Sequence, residues 1–373
     1  MNKIESFGNI YKNKKVLITG HTGFKGSWLL SWLLKLGANI VGISNDIPTE
    51  PAMFEVLNES NQIKDLRFCI TNIDLLKSTI LEEEPDFIFH LAAQPIVSKS
   101  YLNPHYTIMS NVLGTTNLLE SLRFFKKECK VIIITSDKCY DNIETLWGYK
   151  ETDKMGGKDI YSASKGAAEL IIKSYFESFF KNNIFIKIGI ARAGNVIGGG
   201  DWALDRIVAD SVKAWSNNEK VEIRSPLATR PWQHVLEPLS GYLRLGQILS
   251  DVHCSKLNGE AFNFGPKSEQ NHTVVKLLKD LGKYWGFNDE NDAFIITDNI
   301  PFNEAGLLKL NCEKALYFLN WEPTLTYDET INFIGDWYNA FYLKSVNMKD
   351  FTYNQIKLYE SKALSRNQIW INE

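Results

Sequence analysis

Residues Lys15–Gly26 read KVLIT followed by GHTGFKG, a short apolar run that leads directly into a glycine-rich segment. The apolar run predicts a buried strand, and Ser27–Leu36 has the spacing of a helix. Glycines between a strand and a helix permit a tight turn and let the backbone approach a pyrophosphate at the helix N-terminus. The stretch therefore predicts the first βα unit of a dinucleotide-binding sheet.

Similar apolar runs alternate with helix-like segments along the first half of the chain, a pattern typical of βαβ units. Near-continuous apolarity is typical of parallel strands that are covered on both faces. We therefore expect an α/β protein with a Rossmann-type, doubly wound parallel sheet and a smaller α/β substrate-binding lobe. The predicted strands are Lys15–Thr19, Asn39–Ile43, Phe87–Leu91, Lys130–Thr135 and Phe185–Ala191, and the predicted helices are Ser27–Leu36, Asn111–Phe125, Ser162–Phe179 and Leu204–Trp215.

The character of the sequence changes after Asn195, where Gly198–Trp202 (GGGDW) reads as a loop. We predict a dinucleotide-binding domain over residues 1–192, to which segments near 232–264 return, and a substrate-binding lobe over residues 193–335. Residues 336–373 are aromatic and charged. They form a C-terminal extension that is either an added helix or a contact between subunits.

Composition excludes several classes of protein. The 373 residues carry 41 basic and 44 acidic side chains, a net charge of −3, so no strongly basic surface for nucleic acid is expected. The start of the chain lacks the apolar core of a signal peptide, and the apolar stretch Trp28–Leu34 is too short to span a membrane. We expect a cytoplasmic protein with neither nucleic-acid nor membrane partners.

The cysteines and histidines do not form a metal-binding pattern. The five cysteines are scattered, odd in number and without a CxxC pair, which is typical of reduced thiols in a cytoplasm. The six histidines are dispersed, with no HExxH motif, so we predict no metal. The cysteines are Cys69, Cys129, Cys139, Cys254 and Cys312.

A second informative stretch lies between residues 131 and 165. A predicted strand ends in TSDK (residues 135–138), and a helix-like segment begins with YSASK (residues 161–165). Tyr161 and Lys165 share one helix face because they are four residues apart, and an ammonium beside a phenol stabilises the phenolate. A tyrosine base that works near neutrality needs a pKa roughly 3 units below the usual value of ~10, and we expect Lys165 and an oxidised nicotinamide to supply this shift together. The candidate catalytic residues are Thr135, Asp137, Lys138, Tyr161 and Lys165.

The candidate catalytic residues and the glycine-rich turn are predicted to lie close together, because each follows the end of a strand or lies on the helix after it. Parallel strands joined by right-handed crossovers all have their carboxyl ends at one edge of the sheet. Gly20, Thr135–Lys138 and Arg192–Asn195 each follow a predicted strand, so we expect them to line one crevice. An alcohol dehydrogenase that only transfers hydride does not require the carboxyl of Asp137 or the second amine, that of Lys138. They indicate that an elimination accompanies hydride transfer on a sugar.

Asp46 follows the second predicted strand, 20 residues beyond Gly26. A carboxylate there can accept a hydrogen bond from the adenosine ribose, and its charge opposes a 2′-phosphate. We therefore expect NAD rather than NADP. The alternative for Asp46 is an ordinary solvated loop aspartate.

Taken together, the GxxGxxG segment, His90–Gln94 (HLAAQ), Asn111–Thr115 (NVLGT) and the YxxxK pair resemble the extended short-chain dehydrogenase/reductase superfamily. More narrowly, five stretches between about residues 12 and 330 resemble the CDP-glucose 4,6-dehydratase family. They are Gly20–Trp28 (GHTGFKGSW), Thr135–Tyr140 (TSDKCY), Tyr161–Lys165 (YSASK), Arg192–Trp202 (RAGNVIGGGDW) and Thr229–Ser240 (TRPWQHVLEPLS).

The resemblance implies an NAD-binding Rossmann domain, a lobe for a nucleotide sugar and conversion of CDP-D-glucose to CDP-4-dehydro-6-deoxy-D-glucose. It also implies a homodimer or homotetramer, and a product used in deoxysugar branches of surface polysaccharides such as the O-antigen of lipopolysaccharide. The implied NAD contacts are Gly20, Thr22, Gly23, Phe24, Lys25, Gly26, Asp46, Leu91, Ala92, Ala93, Gln94, Asn111, Thr135, Tyr161 and Lys165. The candidate substrate contacts are Gln94, Ser136, Asn195, Arg206, Arg230 and His234.

The implied reaction begins when Tyr161 removes the C4 hydroxyl proton while hydride passes to NAD. Thr135 hydrogen-bonds the C4 oxygen, and protonated Asp137 then protonates the departing C6 hydroxyl. Hydride finally returns to C6. The C5 base remains open between a neutral Lys138 and a water molecule, with Lys138 in the second case pairing with Asp137 or the ketone oxygen.

The chain departs from the family pattern at two places. Cys69–Asn72 (CITN) stands where the family often has an acidic motif that contacts adenine, which predicts weaker NAD binding. Asn303-Glu304 precedes Leu308–Leu310 (LKL) where the family has Pro-His-Glu, so a substrate contact by that histidine is not expected.

Three other functions fit parts of the pattern. UDP-N-acetylglucosamine 4,6-dehydratases also carry an Asp-Lys pair, but their tyrosine follows it closely, whereas here an insertion separates Lys138 from Tyr161. A nucleotide-sugar 4-epimerase needs no acid and base at C5 and C6. A non-catalytic NAD-sensing regulator would commonly lose Tyr or Lys of YxxxK, and both are present.

Overall fold

The structure is a computed structural model that describes residues 5–251, 256–267, 269–287, 289–297 and 306–371. The predictions made on Cys254, on Asn303-Glu304 and on the first four residues lie outside the described residues. No helix in the described ranges is long and apolar enough to cross a membrane.

The strands of the described residues alternate with helices through the first half of the chain, as βαβ units require. They are β1 Lys15–Thr19, β2 Asn39–Ser44, β3 Lys64–Arg67, β4 Phe87–His90, β5 Cys129–Ile134, β6 Ile186–Ala193, β7 Val196–Ile197, β8 Val221–Ile223, β9 Thr229–Arg230, β10 Gln233–His234, β11 Ala261–Phe264, β12 His272–Thr273 and β13 Phe294–Ile296.

The helices are longest where they cover the sheet and at the C-terminal end. They are α1 Phe24–Lys35, α2 Met53–Leu57, α3 Ile73–Glu83, α4 Val97–Leu102, α5 Pro104–Ile108, α6 Gly114–Leu122, α7 Ile160–Tyr175, α8 Ile207–Ser216, α9 Leu236–Leu249, α10 Val274–Gly282, α11 Glu290–Ala293, α12 Glu313–Leu319, α13 Tyr327–Leu343 and α14 Met348–Ser365. Wide π turns continue α5 into α6 and extend α7 to Phe180.

The central sheet positions the rest of the molecule. Seven strands pair in the order β11-β6-β5-β4-β1-β2-β3, and every pair between neighbours is parallel. The predicted α/β class with a Rossmann-type parallel sheet is confirmed. Three two-stranded pairings, β7 with β10, β9 with β12 and β8 with β13, lie outside this sheet.

The main elements agree with the sequence to within a few residues, and the differences have physical causes. Strand β3 was not predicted because its sequence, KDLR, is polar, as suits a half-exposed strand at the edge of a sheet. Helix α1 begins at Phe24 rather than Ser27 because Gly23 is its N-cap. Helix α8 begins at Ile207 rather than Leu204, after a turn in which Asp205 has a φ of +58°.

The sheet is covered on both faces by apolar side chains. Helices α3, α6 and α7 enclose one buried cluster against one face, and α1, α9, α13 and α14 contribute to the larger cluster on the other. Strand β11 joins the sheet beside β6, where Ala261 pairs with Ile190. The chain thus returns to the sheet after passing through the lobe.

The C-terminal extension packs on the protein itself. The Phe7 ring stacks on Trp370 with centroids 4.8 Å apart, and the Phe7 amide donates to the Trp370 carbonyl at 2.6 Å. The Trp32 indole of α1 donates to the Glu360 carboxylate of α14 at 3.0 Å. The extension thus contains added helices, of which α14 packs against α1.

Candidate active site

A cavity of about 560 Å³ lies at the carboxyl edge of the central sheet. Residues that follow β1, β2, β4, β5 and β6 line it, as expected where parallel strands end together. The predicted site residues that line it are Gly20, Thr22, Gly23, Phe24, Lys25, Gly26, Asp46, Leu91, Ala92, Ala93, Thr135, Ser136, Asp137, Lys138, Tyr161, Lys165, Asn195, Arg206 and Arg230.

The glycine-rich turn leaves the N-terminus of α1 accessible. Gly20 has a φ of +79°, and a Cβ there would lie 2.8 Å from the Ala92 nitrogen. A Cβ on Gly26 would overlap the Gly20 carbonyl oxygen, so neither position accepts a larger residue. The N-cap of α1 is Gly23, which offers no capping side chain. An anion such as a diphosphate can therefore approach the amides of the first turn.

Asp46, the predicted ribose contact, lies beside the glycine turn. The Thr22 hydroxyl donates to the Asp46 carbonyl at 2.7 Å and ties the glycine turn to the end of β2. The Asp46 side chain is exposed on the cavity lining. Cys69 also lines the cavity, whereas the Asn72 side chain caps α3 by accepting from the Leu75 amide at 3.1 Å.

Gln94 and Asn111 do not line the cavity among the described residues. The Gln94 side chain donates to the Thr107 hydroxyl at 2.9 Å and accepts from the Ile96 amide at 2.6 Å. Asn111 donates to the Ser164 hydroxyl of α7 at 2.9 Å and accepts from the Gln94 amide at 2.7 Å. The Gln94 side chain thus joins its own loop to α5, and Asn111 joins that loop to α7, the helix that carries the tyrosine.

Helix α7 presents Tyr161 and Lys165 to the cavity. It begins where the Asp159 carboxylate accepts from the Ser162 amide at 2.9 Å, which fixes the first turn. Tyr161 and Lys165 are buried, and the lysine nitrogen lies 6.0 Å from the centre of the phenol ring.

Burial shifts the pKa values of both members of this pair. It raises the pKa of Tyr161 to about 12, although a hydrogen bond with Ser136 acts in the opposite direction. Burial also lowers the pKa of Lys165 to about 8, because removal from water penalises the charged form of each group. That Lys165 and an oxidised nicotinamide together lower the pKa of the phenol stays a prediction.

The carboxyl of Asp137 lies in the same cavity and is only 5% exposed. Its pKa is raised by burial, and the adjacent Lys138 opposes this shift. A carboxyl with a raised pKa keeps its proton at higher pH and can act as a general acid. Lys138 is partly buried on the cavity lining. Burial, together with the Arg206 charge, lowers the pKa of the nearby Lys25 amine to about 7.

A buried ion pair behind Thr135 was missed by sequence reasoning. The Thr135 hydroxyl donates to the Glu169 carboxylate at 2.5 Å. The Arg192 guanidinium donates to both oxygens of that carboxylate at 2.8 and 2.9 Å. A carboxylate can only accept, so Thr135 offers acceptor lone pairs rather than a proton to the cavity. Glu169 lies four residues beyond Lys165 on α7, and this helical spacing was an available signal.

The cavity lining also includes the two predicted substrate arginines, Arg206 and Arg230. The Arg206 Nε lies 3.5 Å from a carboxylate oxygen of Asp201, whose pKa is raised by burial. The Arg230 guanidinium donates to the carbonyls of Thr229 at 2.9 Å and Gly306 at 3.2 Å. Sequence reasoning did not single out four other charged residues of the lining, namely Asp205, Asp210, Glu222 and Arg224.

His234 lies in the apolar core and, among the described residues, is not part of the cavity lining. Its ring packs edge-on against Trp28 and Phe333, with centroids 5.6 and 5.2 Å away. Burial lowers its pKa to about 3. Nδ1 accepts from the Leu236 amide at 3.3 Å. These contacts indicate a structural histidine, not a substrate contact.

Among the described residues, no cluster of three or more His, Cys, Asp or Glu side chains could hold a metal ion. The four described cysteines are free, and two of them, Cys129 and Cys139, are buried.

Comparison with known proteins gives sequence matches over most of the chain. The family profile described as GDP-mannose 4,6 dehydratase matches residues 17–333. A CDP-glucose 4,6-dehydratase of Salmonella typhimurium is 43% identical over 336 residues, which cover 89% of this chain and 92% of the relative.

Solved structures share the fold at lower identity. A UDP-glucuronic acid 4-epimerase from Bacillus cereus, in complex with UDP-glucuronic acid and NAD, has a TM-score of 0.74 at 22% identity, covering 88% of this chain and 99% of its own. A dTDP-glucose 4,6-dehydratase from Bacillus anthracis, in complex with NAD, has a TM-score of 0.71 at 20% identity, covering 87% and 96%. Epimerases and dehydratases thus share this architecture, and fold alone does not separate them.

Proposed function

The chain belongs to the family described as GDP-mannose 4,6 dehydratase, and from that premise we propose that it converts CDP-D-glucose to CDP-4-dehydro-6-deoxy-D-glucose and water. The observation that carries the proposal is the buried carboxyl of Asp137, with its raised pKa, in one cavity with Tyr161 and Lys165. An oxidation followed by loss of water needs a proton donor beside the proton acceptor.

The cofactor of the proposal is NAD. The glycine turn fits a diphosphate, because Gly23 leaves the N-terminus of α1 without a capping side chain. Glycine is required at positions 20 and 26, because a side chain there would collide with the backbone of the turn or of the loop after β4. Gly20–Gly26, Asp46 and Leu91–Ala93 would hold the dinucleotide, with Tyr161 and Lys165 at its nicotinamide end. When bound, NAD supplies the hydride acceptor for C4, the hydride donor for C6 and a positive charge that favours the phenolate.

Tyr161 takes the proton of the C4 hydroxyl as that carbon is oxidised. Lys165 stabilises the phenolate by its charge, which its pKa of about 8 preserves in most molecules near neutral pH. Thr135 has committed its proton to Glu169, so it accepts a hydrogen bond from a substrate hydroxyl and orients that group. The resulting 4-ketone makes the neighbouring C5 proton acidic.

Asp137 acts in the elimination that follows. Loss of the C5 proton forms the C5–C6 double bond while the C6 hydroxyl leaves with the Asp137 proton as water. General acid catalysis of this kind contributes roughly 10²- to 10⁴-fold. The return of hydride to C6 and of a proton to C5 completes the reaction without net oxidation. A 4-epimerase has no use for this carboxyl, so its raised pKa favours the dehydratase.

The C5 base is proposed to be Lys138, which lines the cavity beside Asp137. In Lys138→Met, oxidation at C4 is expected to proceed while exchange of the C5 proton with solvent is abolished. The measurement is deuterium uptake at C5 from heavy water, followed by mass spectrometry. Lys158→Met, at an exposed lysine of the insertion, is the matched control and should exchange normally. Full exchange in Lys138→Met would assign the base to a water molecule.

The diphosphate of the substrate is proposed to bind Asn195, Arg206 and Arg230. Guanidinium groups match phosphate geometry in a bidentate manner. The four additional charged residues of the lining surround the remaining part of the cavity, where a nucleoside would lie.

The proposed function is tested by supplying CDP-glucose, UDP-N-acetylglucosamine and dTDP-glucose separately and following the 4-keto product by its absorbance in alkali and by mass. Turnover of CDP-glucose alone is expected. Preference for UDP-N-acetylglucosamine would assign the second dehydratase activity, and a product with unchanged mass would assign an epimerase. Failure to turn over any of the three would favour an NAD-sensing regulator.

The setting of the reaction is a further part of the proposal. Free cysteines support a cytoplasmic location. The exposed side chains of Phe124, Leu170 and Phe179, on or beside α6 and α7, support a homodimer or homotetramer. A 4-keto-6-deoxy product suits the biosynthesis of deoxysugars for surface polysaccharides, such as the O-antigen of lipopolysaccharide.

A further inference from the structure

Helix α13 contacts the GGGDW loop, residues 198–202, which contributes Gly198 and Asp201 to the lining of the cavity. We call this part of the lining, with Arg206 and Arg230, the substrate wall. The Trp337 ring lies so close to Gly199 that a Cβ on the glycine would overlap it. The Trp28 indole donates to the Gly199 carbonyl at 2.9 Å from the other side. The loop is therefore held between α13 and α1, and its backbone position depends on both helices.

Tyr338 of α13 fixes the next part of this loop through a single hydroxyl group. The hydroxyl donates to the Asp201 carbonyl at 2.6 Å and accepts from the Asp201 amide at 3.1 Å. Its side chain is fully buried. One residue further on, the Trp202 indole donates to the Tyr342 hydroxyl at 2.9 Å. The backbone amide and carbonyl of Asp201 are thus both hydrogen-bonded to the Tyr338 side chain of α13.

The carboxylate of Asp201 faces the cavity from this fixed backbone. It accepts from the Ala203 amide at 3.1 Å and lies 3.5 Å from the Arg206 Nε. Arg206 is partly exposed, and a long side chain loses conformational freedom when a partner orients it. Asp201 is therefore placed to set the direction of the Arg206 guanidinium within the cavity.

Helix α13 is anchored firmly enough to act as a support. The Trp337 indole donates to the Thr352 hydroxyl of α14 at 2.9 Å, and Glu360 of α14 accepts from Trp32 of α1 at 3.0 Å. The family profile ends at residue 333, so Trp337, Tyr338 and Tyr342 lie beyond it, whereas Trp28 lies within it.

We propose that Tyr338 is a positioning residue for the substrate diphosphate, acting through Asp201 on Arg206. The inference rests on the proposed function, because it assigns to Arg206 the grip on a nucleoside diphosphate sugar. Tyr338 touches neither substrate nor cofactor in this scheme. Its effect falls on substrate affinity and leaves the chemical step and NAD binding unchanged.

The test is Tyr338→Phe, which keeps the ring and removes both hydrogen bonds to Asp201. An effect on Arg206 equal to about one hydrogen bond of ordinary strength predicts a rise of roughly 5-fold in KM for CDP-glucose and in Kd for CDP. The value of kcat should change by less than about twofold, and NAD affinity should not change. Steady-state kinetics and calorimetric titration with CDP and with NAD give these quantities.

Tyr11→Phe is the matched control. The Tyr11 hydroxyl is buried and donates to the Leu243 carbonyl at 2.6 Å, away from the loop. A purely structural role for Tyr338 would lower the thermal midpoint of both variants and leave both KM values unchanged. That outcome, or a fall in kcat with normal KM in Tyr338→Phe, overturns the proposal.

A second variant tests the same path without relying on Tyr338. Asp201→Asn keeps the backbone bonds and removes the charge that faces Arg206, so KM should again rise with kcat preserved. In an Arg206→Ala background, Tyr338→Phe should then raise KM no further, because the two changes act on one interaction. Normal KM in Asp201→Asn, or additive effects in the double variant, contradicts the proposal. Wild-type protein that does not turn over CDP-glucose would instead remove the proposed function.

Discussion

The two walls of the cavity are built in different ways. The reaction wall carries Thr135 at the end of β5 and Tyr161 and Lys165 on α7, all within one short segment of the chain. The substrate wall depends on Asp201, whose backbone is held by a side chain 137 residues away. The residues proposed for the chemistry are thus close together in the sequence, whereas the proposed grip on the substrate depends on packing between distant segments. Substitutions in the two walls should differ in the kinetic constant they change.

The largest effect is expected in the reaction wall, from Tyr161→Phe. Removal of the phenolic oxygen removes the proton acceptor at C4, so kcat should fall by roughly 10²- to 10⁴-fold while Kd for CDP stays unchanged. Product formation and calorimetry measure the two quantities. Tyr175→Phe is the matched control, since Tyr175 lies on the same helix and donates to Glu120 at 3.2 Å. An undiminished rate in Tyr161→Phe would contradict the role of Tyr161 as the proton acceptor at C4, and with it the proposed first step of the reaction.

A smaller effect is expected from the buried partner of Thr135. Glu169→Gln replaces a pure acceptor by an amide, so the Thr135 hydroxyl is no longer directed away from the cavity. We expect kcat to fall by about 10-fold in Glu169→Gln and in Thr135→Val, an estimate from the loss of one charge-assisted hydrogen bond. The double variant should be no slower than Thr135→Val, since both changes act through one hydroxyl.

The kinetics of the double variant and the thermal midpoint together distinguish the orienting role of Glu169 from a purely structural one. Glu169→Gln weakens the pairing of buried Arg192, so its thermal midpoint should fall as well. Additive losses of kcat in the double variant would show that Glu169 supports the reaction wall through packing alone.

The smallest effect is expected where the extension meets the core. Glu237 of α9 accepts from the Leu325 amide at 2.6 Å and from the Tyr359 hydroxyl of α14 at 2.9 Å, and burial raises its pKa from 4.5 to about 7. The folded state therefore binds a proton more tightly than the unfolded chain. This contribution to stability is full below about pH 4.5 and is lost as the pH rises through about 7.

Thermal melts of the wild type and Glu237→Gln between pH 5 and pH 8 measure this contribution, with those limits chosen to be about one to two units either side of the transition. The midpoint of the wild type should fall relative to that of the variant as the pH rises. Parallel curves would mean that the carboxyl does not titrate in this range. The contact of Glu237 with Tyr359 of α14 would then be equally stable at all these pH values.

The reaction wall was also the more predictable of the two. The sequence predicted the main parallel strands and the shared face of Tyr161 and Lys165, because strand and helix periodicities are local. Glu169 continues the same face, yet its role depends on Arg192 from a different strand. No local pattern reveals that partner.

Other differences arose because polar side chains have competing uses. Gln94 and His234 belong to motifs of a binding site, but the Gln94 side chain bonds to Ile96 and Thr107, and the His234 ring is buried in the core. The effect of burial on the pKa of Tyr161 was not predicted, because the spacing of Tyr161 and Lys165 reports the neighbouring lysine but not the degree of burial. The contact between Tyr338 and Asp201 has no signature in either segment alone.

The packing of α14 on α1 also has a consequence during protein synthesis. Trp32 of α1 rests against Tyr359 and Trp370, and the Lys35 amine reaches Glu360, which is made 325 residues later. The aromatic face of α1 must therefore remain uncovered on the ribosome until the last helix emerges. Nascent chains arrested before residue 350 should bind a chaperone that recognises exposed tryptophan, and release should coincide with completion of α14.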